Sequence, residues 1–390
     1  MVSIFSPAGR RGLKGKMMSR TDMAGNRDSQ DVAKQARVPF SSNPVRLSPG
    51  EWVIVAIVGL VVLWFGPKLW ERLEKLEPGP DYRMPYELGS DYWLYRRWCR
   101  RACSQYDVLV VGDSVIWGHY VSRQNTLSHY LNEVAGRDRF ANLGVDGIHP
   151  IALEGLLRHY APDITGKTVL LHFNPLWMSS AKHDLQTEKE FQFNHPQLVP
   201  QFVPDIPCYR ASFASRMSAV LQRHVSLFAL ASHLRKMYFD NMDMPRWTLE
   251  HPHANPVKAI TLELPASDSY SADDAVPWID RGTAKADFQW VEPDTSLQWR
   301  FFQRAVERLR ARGNTVFVLV GPFNEHMMTA DSLETYRKIK SDIELWLQQN
   351  NVAYFMPQAL PSRLYVDASH PLGEGYAMLA KELLENRSFQ

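Results

Sequence analysis

A serine, a histidine and an aspartate offer the most reactive chemistry in this sequence. Ser114 ends the tripeptide Gly112, Asp113 and Ser114 directly after a short apolar run, and Asp367 and His370 lie close together near the C-terminus. A carboxylate beside an imidazole fixes the tautomer of the ring and stabilises the charge that the ring gains from a serine proton. Each group also has a plain structural explanation, because Gly-Asp-Ser occurs in turns and an aspartate can cap a helix.

Two further residues have hydrogen-bond donors suited to a negatively charged oxygen. Gly144 has a backbone N–H and Asn174 a side-chain amide, and both kinds of donor stabilise the oxyanion formed when a nucleophile attacks a carbonyl group. Both residues directly follow apolar runs. Taken singly, a turn glycine and a turn asparagine are the simpler interpretations.

Short apolar runs alternate with amphipathic segments and would position these residues. Strands are predicted at 107–111, 140–143, 168–173, 315–320 and 353–355, and helices at 125–134, 150–160, 297–312, 332–349 and 374–385. Repeated strand–helix units predict an α/β fold with a five-stranded parallel sheet covered by helices on both faces. Ligand sites in such sheets lie beyond the carboxyl ends of the strands, where Ser114, Gly144 and Asn174 fall.

Residues 180–296 interrupt the alternation of strands and helices. They are rich in Pro, His, Asp and Ser, and one helix is predicted among them, at 213–237. Structureless loops of this length are uncommon inside compact domains. We therefore expect an insertion that forms a cap or rim over the site.

The order of the candidate residues resembles that of the SGNH hydrolase family, also called the GDSL esterase/lipase family. In that family a Ser, a Gly, an Asn and a His stand in four sequence blocks in this order. Gly-Asp-Ser matches the first block, and Asp-x-x-His-Pro at 367–371 matches the last. The third block usually reads Gly-x-Asn, whereas His172 takes the glycine position here. The resemblance covers about residues 105–180 and 297–385.

This resemblance implies a flavodoxin-like three-layer α/β/α fold and a serine esterase mechanism. Ser114 would be the nucleophile, His370 its general base and Asp367 the group that orients His370. The backbone N–H groups of Ser114 and Gly144 and the side chain of Asn174 would form the oxyanion hole. The sequence contains no His-Glu-x-x-His zinc motif and no Gly-x-Gly-x-x-Gly cradle, so we expect neither a metal nor an organic cofactor.

The composition excludes several other classes of protein. The 390 residues include 44 Lys and Arg against 42 Asp and Glu, for a formal charge of +2, and 45% of them are hydrophobic. These values exclude a wholly disordered chain and provide no large positive excess for nucleic-acid binding. The charge is uneven, because residues 1–50 hold nine basic and three acidic residues. We predict a disordered basic cytoplasmic tail at 1–47.

An uncharged apolar segment follows the tail. Residues 52–65 carry no charge, and a helix over 52–70 would be roughly 28 Å long, close to the roughly 30 Å hydrocarbon core of a bilayer. We predict a transmembrane anchor helix at 48–70, with a capping box from Ser48 to Glu51. The apolar run is shorter than usual for a span, so a buried soluble helix is the alternative.

The basic tail favours a cytoplasmic N-terminus. We therefore expect a single pass through the cytoplasmic (inner) membrane, with the catalytic domain on the extracytoplasmic side. A helical linker is predicted at 71–104, and an SGNH hydrolase-like domain at 105–390 that contains the insertion at 180–296.

Three functions are compatible with these features. The first is a membrane-anchored serine esterase that removes O-acyl groups, foremost O-acetyl groups, from cell-envelope glycans. The second is an O-acyltransferase that uses the same triad, because exclusion of water and binding of the acceptor decide between transfer and hydrolysis. An N-terminal anchor on an SGNH-type domain resembles envelope proteins that help to O-acetylate polysaccharides, and this resemblance implies a multi-span acyltransferase as a partner. The third is a non-catalytic binding or scaffold domain. The expected partners are thus an O-acylated glycan and the membrane, and no nucleic acid.

Overall fold

The computed structural model describes residues 47–187, 193–264, 275–386 and 389. The predicted disordered tail, apart from residue 47, lies outside this part of the chain. The chain divides into two units, with the boundary between Ala56 and Ile57. The boundary falls inside the first helix, α1 (Pro49–Leu73), and the sheet and the candidate site belong to the second unit.

Helix α1 is long and apolar enough to cross a membrane. Its most apolar window of 18 residues has a mean hydropathy of 2.1, and 6% of that window is buried. The predicted capping box is present, because the Ser48 N–H donates to Glu51 Oε2 over 2.6 Å and the Glu51 N–H donates to Ser48 Oγ over 3.3 Å. These reciprocal bonds satisfy backbone donors that the first helical turn leaves without partners.

Five strands form one sheet in which every neighbouring pair is parallel, as predicted. The strands are β1 (Val108–Val111), β2 (Phe140–Asn142), β3 (Thr168–Phe173), β4 (Thr315–Val320) and β5 (Ala353–Phe355). Their order across the sheet is β2-β1-β3-β4-β5. Val108 lies opposite Phe140 on one side and Thr168 on the other, so the carboxyl ends of these three strands share one edge.

The other α-helices of the described residues connect or flank these strands. They are α2 (Tyr92–Gln105), α3 (Ser114–Trp117), α4 (Leu127–Ala135), α5 (Pro150–His159), α6 (Phe213–His224), α7 (Ser226–Tyr238), α8 (Met244–Glu250), α9 (Pro256–Ala259), α10 (Leu297–Ala311), α11 (Ala330–Gln349) and α12 (Gly373–Glu385).

Alternate residues of the strands pack into two separate hydrophobic clusters. Leu109 and Val111 of β1 belong to a cluster that includes buried residues of α2, α5, α10 and α11. Val108 and Val110 belong to a second cluster, which includes buried residues of α4 and α12. Because successive strand residues point to opposite faces, the sheet buries both faces and its apolar runs are uninterrupted.

The segment predicted as a helical linker, 71–104, is part of the folded domain. Helix α1 ends at Leu73, and α2 begins only at Tyr92. Trp98 of α2 is 1% exposed, and its indole N–H donates to the backbone oxygen of Asn142 at the end of β2. Large apolar side chains on one face of α2 are buried in the core.

The insertion contains more helix than predicted. The single helix expected at 213–237 is two helices, α6 and α7, which meet at Val225. Helix α7 packs against α2, and a small cluster formed by Tyr238, Phe239 and Trp247 packs against Trp70 of α1. This helical part of the insertion therefore lies beside α2 and the end of α1.

Candidate active site

Three of the predicted site residues form a hydrogen-bonded chain. His370 Nε2 lies 2.8 Å from Ser114 Oγ, and His370 Nδ1 lies 2.8 Å and 2.9 Å from the two carboxylate oxygens of Asp367. A carboxylate only accepts, so Nδ1 carries the ring proton and Nε2 accepts the hydroxyl proton of Ser114. Ser114 and His370 are each 9% exposed. The distances suit transfer of a proton from the serine to the imidazole.

The charges around His370 favour its protonated form. Burial alone would lower the pKa of His370, but the charge of Asp367 and its hydrogen bond raise the pKa above its ordinary value, with smaller contributions from Asp113 and Asp146. Burial alone would raise the pKa of Asp367, and the charge and hydrogen bond of His370 instead lower it to about 2. Asp367 therefore stays ionised and stabilises the imidazolium that forms when His370 takes a proton.

Asp113 fixes the turn that carries the nucleophile. Its Oδ1 caps α3 by accepting from the Val115 N–H over 3.0 Å, while its Oδ2 accepts from Asn174 Nδ2 over 2.8 Å and from the indole N–H of Trp177 over 3.0 Å. The side chain thus ties the loop after β1 to the loop after β3. Asp113 was predicted only as part of Gly-Asp-Ser. Its residue type does not distinguish an aspartate that caps a helix from one that also links two loops.

His172 fills the position where the family motif has glycine. Its Nε2 donates to the backbone oxygen of Gly321 over 3.0 Å, and its Nδ1 lies 3.1 Å from Asp113 Oδ1. A Cβ on Gly112 would lie 2.7 Å from His172 Cβ, so a glycine before the nucleophile turn makes room for this histidine. Although His172 takes the glycine position of the motif, Asn174 still donates to the Asp113 carboxylate.

The predicted oxyanion role of Gly144 does not agree with this geometry. Its single backbone N–H donates to Asn142 Oδ1 over 2.9 Å. A Cβ at this position would overlap the backbone nitrogen of Trp117 and lie 2.8 Å from the carbonyl carbon of Ile116. Glycine stands here because β2 and α3 approach closely, and the residue supports Ser114 through that packing.

Replacing Gly144 with alanine is expected to lower the free energy of unfolding by about 1–3 kcal/mol, because the added methyl group displaces the backbone of α3. Thermal unfolding of the purified chain measures this effect. Gly79→Ala is the control, because its Cβ would meet nothing within 4 Å, and it should change stability by less than about 0.5 kcal/mol. Equal stability of the two variants would contradict the close approach.

Further residues border the triad without having been predicted. Asn324, after β4, donates to the backbone oxygens of Ala368 and Asp367 and thereby holds the loop of the triad acid. The ring of Tyr120 lies edge-on to that of His370, with centroids 5.4 Å apart, and Tyr120 has a φ of 69°, which non-glycine residues rarely adopt. Strained backbone of this kind is concentrated at functional sites.

The insertion reaches this edge of the site through a short 3-10 helix, Trp278–Arg281. The Trp278 N–H donates to the backbone oxygen of Tyr365, two residues before Asp367. The guanidinium of Arg281 lies 6.0 Å from the ring of Tyr120. A cavity of about 770 Å³ is lined by Ile279 and Asp280 of the same segment and by Leu372 and Gly373, which follow His370 in the chain. Residues 277–281 thus lie next to the segment that carries Asp367 and His370.

A second histidine–carboxylate pair, His119 and Asp146, also borders the triad and was not predicted. His119 Nδ1 lies 2.7 Å from Asp146 Oδ1. The sequence signal for it is weak, because the two residues come from different loops.

Comparison with models of known protein families gives no match, and comparison with curated protein sequences gives none either.

Proposed function

We propose that this chain is a membrane-anchored serine esterase of the SGNH hydrolase type, which removes O-acyl groups, foremost O-acetyl groups, from cell-envelope glycans. The observation that carries the proposal is the continuous hydrogen-bonded chain from Ser114 through His370 to Asp367. A nucleophile, a base and a group that orients the base are the parts that covalent catalysis at an ester requires. A scaffold domain has no use for this arrangement.

The reaction proceeds through an acyl-enzyme. Ser114 Oγ attacks the carbonyl carbon of the ester while His370 Nε2 takes the hydroxyl proton. The bond between that carbon and the alcohol oxygen then breaks, and His370 gives its proton to the departing alcohol. Water then attacks the carbonyl carbon of the acyl group and passes a proton to His370. The bond between that carbon and Ser114 Oγ breaks, His370 returns the proton to Oγ, and the carboxylic acid leaves.

The oxyanion is held by the backbone N–H of Ser114 and the side-chain amide of Asn174. An asparagine amide has two N–H groups. One donates to Asp113 Oδ2, and that bond fixes the plane of the amide beside the nucleophile turn. We assign the second N–H to the developing charge. Removing one such donor typically lowers the rate by about 10²–10³-fold.

The fold supports this assignment. The strand order 2-1-3-4-5 is that of flavodoxin-like proteins. We propose a three-layer α/β/α arrangement, which the two hydrophobic clusters on opposite faces of the sheet support. We therefore assign the chain to the flavodoxin-like group, in which a site at the carboxyl ends of β1 and β3 is the usual location.

The anchor gives the esterase its location. Helix α1 has the length and apolarity of a membrane span, and the basic tail before it favours a cytoplasmic N-terminus. The catalytic domain then faces the cell envelope, where acylated glycans occur. Recovery of the full-length chain in the soluble fraction after cell lysis would contradict this location.

Transfer to a sugar hydroxyl is the second candidate reaction. Both reactions pass through the acyl-enzyme on Ser114, and exclusion of water together with binding of an alcohol acceptor decides between them. The residues and proton transfers are the same, and a multi-span acyltransferase would supply the acyl group.

A serine-directed fluorophosphonate tests the nucleophile directly. We expect the full-length chain, purified in detergent, to gain one phosphonyl group at Ser114, located by mass spectrometry of its peptides. Ser114→Ala should gain none, whereas the control variant Ser104→Ala, which alters an exposed serine of α2, should react as the wild type does. Equal labelling or equal hydrolysis of 4-nitrophenyl acetate by wild type and Ser114→Ala would refute the proposed function.

A further inference from the structure

The pair formed by His119 and Asp146 lies directly beside the triad. His119 is five residues after the nucleophile, and its backbone N–H donates to the backbone oxygen of Ser114 over 2.9 Å. Its ring centroid is 5.4 Å from that of His370. The side chains of His119 and Asp146 are 22% and 21% exposed, so both are accessible from solvent at the edge of the site.

Asp146 orients His119 as Asp367 orients His370. The carboxylate accepts from Nδ1 over 2.7 Å, which favours the tautomer in which Nε2 is an acceptor. The loop of Asp146 is itself fixed, because His195 Nε2 donates to the backbone oxygen of Asp146 over 2.8 Å. Fixed polar groups of this kind give a binding site its specificity.

Other histidines near the sheet are placed differently. His149 and His172 are each 2% exposed and His195 is 9% exposed. Each of these three rings lies within hydrogen-bonding distance of a backbone oxygen of the chain. They hold the fold together, whereas His119 combines partial exposure with a position next to the reacting atoms. Asp367 already orients His370 through both carboxylate oxygens, so the triad does not need His119 for that purpose.

Two aromatic side chains flank His119. The ring of Tyr86 is 6.2 Å from His119 and the residue is 45% exposed, while the ring of Tyr120 is 4.3 Å from His119 on another side. Aromatic side chains with a few fixed polar groups are typical of sites for small ligands. A sugar ring combines apolar C–H faces with hydroxyl groups and matches such a surface.

We propose that His119 and Asp146 form the alcohol subsite of the enzyme, which binds a free hydroxyl group of the polyol that carries the ester. This inference rests on the proposed esterase function and names its substrate class as O-acylated sugars with free neighbouring hydroxyls. A hydroxyl group of the sugar donates a hydrogen bond to His119 Nε2. The proton that is transferred during the reaction is taken up and returned by His370. The subsite thus selects the leaving alcohol in hydrolysis and the acceptor in transfer.

Two substrates with different alcohols test the subsite. Mono-O-acetylglucose has hydroxyl groups for His119 to bind, whereas 4-nitrophenyl acetate has none in its leaving group. We expect His119→Ala to lower the ratio of kcat/KM for mono-O-acetylglucose to that for 4-nitrophenyl acetate by about 10- to 100-fold, mainly through KM for the sugar ester. Asp146→Asn should lower the same ratio, by a smaller factor.

The matched control is His129→Ala. His129 Nδ1 lies 2.9 Å from Asp81 Oδ2 with side chains 27% and 14% exposed, and His129 belongs to α4. This variant should leave the ratio unchanged. An unchanged ratio in both His119→Ala and His119→Gln, or an equal loss for the two substrates, would overturn the alcohol subsite. If Ser114→Ala hydrolysed both substrates as the wild type does, the proposed function itself would fail.

Discussion

Replacing Asp367 with asparagine is expected to lower kcat/KM for 4-nitrophenyl acetate by about 10⁴-fold. The backbone N–H groups of Ser369 and His370 both donate to Asp367 Oδ1 over 3.0 Å, so the oxygen of the new amide stays at that position. Its NH₂ group then replaces Oδ2, 2.9 Å from His370 Nδ1. Nδ1 becomes an acceptor and the ring proton moves to Nε2, which can no longer take the proton of Ser114.

The same substitution should change the pH dependence of the reaction. His370 accepts a proton only when it is neutral, so kcat/KM falls as the pH drops below the pKa of His370. Because the carboxylate raises that pKa, the acidic limb of wild-type kcat/KM should lie above about 6.5, the usual value for histidine. Asp367→Asn removes the raising charge, so the limb of the residual activity should move to lower pH.

Asp331→Asn is the control for this prediction. Asp331 is an exposed acid in the first turn of α11, so its replacement removes one charge without touching the triad. We expect its kcat/KM to stay within about twofold of the wild type, since isolated surface charges have small effects. Less than a tenfold loss in Asp367→Asn would show that the carboxylate does not fix the imidazole.

The sheet and the triad were predictable because both depend on local signals. Strands β3, β4 and β5 coincide with the predicted runs 168–173, 315–320 and 353–355, which are apolar, rich in β-branched or aromatic residues, and bounded by polar segments. Parallel strands bring their carboxyl ends to one edge. Ser114 and His370 therefore meet, although 256 residues separate them in the chain.

The role of Gly144 was not predictable from its type. A glycine provides a backbone N–H and also allows two segments to pack closely. Only the positions of Ile116 and Trp117 show that close packing is the reason for a glycine at 144. The same limit applies to His119 and Asp146, whose partnership depends on the conformation of two loops.

The insertion was the least predictable region. The sequence predicted a helix at 213–237 but not its partners: His233 of α7 lies within hydrogen-bonding distance of two carboxylates that precede it by 159 and 142 residues, Glu74 and Asp91. Pairings at such sequence separations leave no periodic pattern. A polar residue within an amphipathic helix is equally consistent with exposure to solvent.

This buried cluster joins the end of α1, helix α2 and the insertion. His233 Nε2 lies 2.9 Å from Glu74 Oε1, and His233 Nδ1 lies 2.6 Å from Asp91 Oδ2. Arg97 of α2 and the hydroxyl of Tyr238 also contact the Glu74 carboxylate. Burial alone would lower the pKa of His233, but the two carboxylates raise it to about 9. Burial alone would raise the pKa of Glu74, but His233, Tyr238 and Arg97 lower it to about 2.

Stability from this cluster should depend on pH in a defined direction. The contribution of His233 is complete below its ordinary pKa of 6.5 and is lost as the pH rises through about 9. The contribution of Glu74 is complete above its ordinary pKa of 4.5 and is lost as the pH falls toward about 2. The cluster therefore stabilises the fold most strongly between these two ordinary values.

Replacing His233 with alanine is expected to lower the free energy of unfolding by about 3 kcal/mol or more, because two buried carboxylates lose their shared partner. The midpoint of thermal unfolding in detergent, measured at pH 6, should fall by roughly 5 °C. His253→Ala is the control, since that histidine of the insertion is exposed, and it should shift the midpoint by less than about 1 °C. The difference between wild type and His233→Ala should shrink at pH 9.5, where His233 is largely neutral. A loss that is equal at both pH values would mean that His233 contributes packing rather than charge.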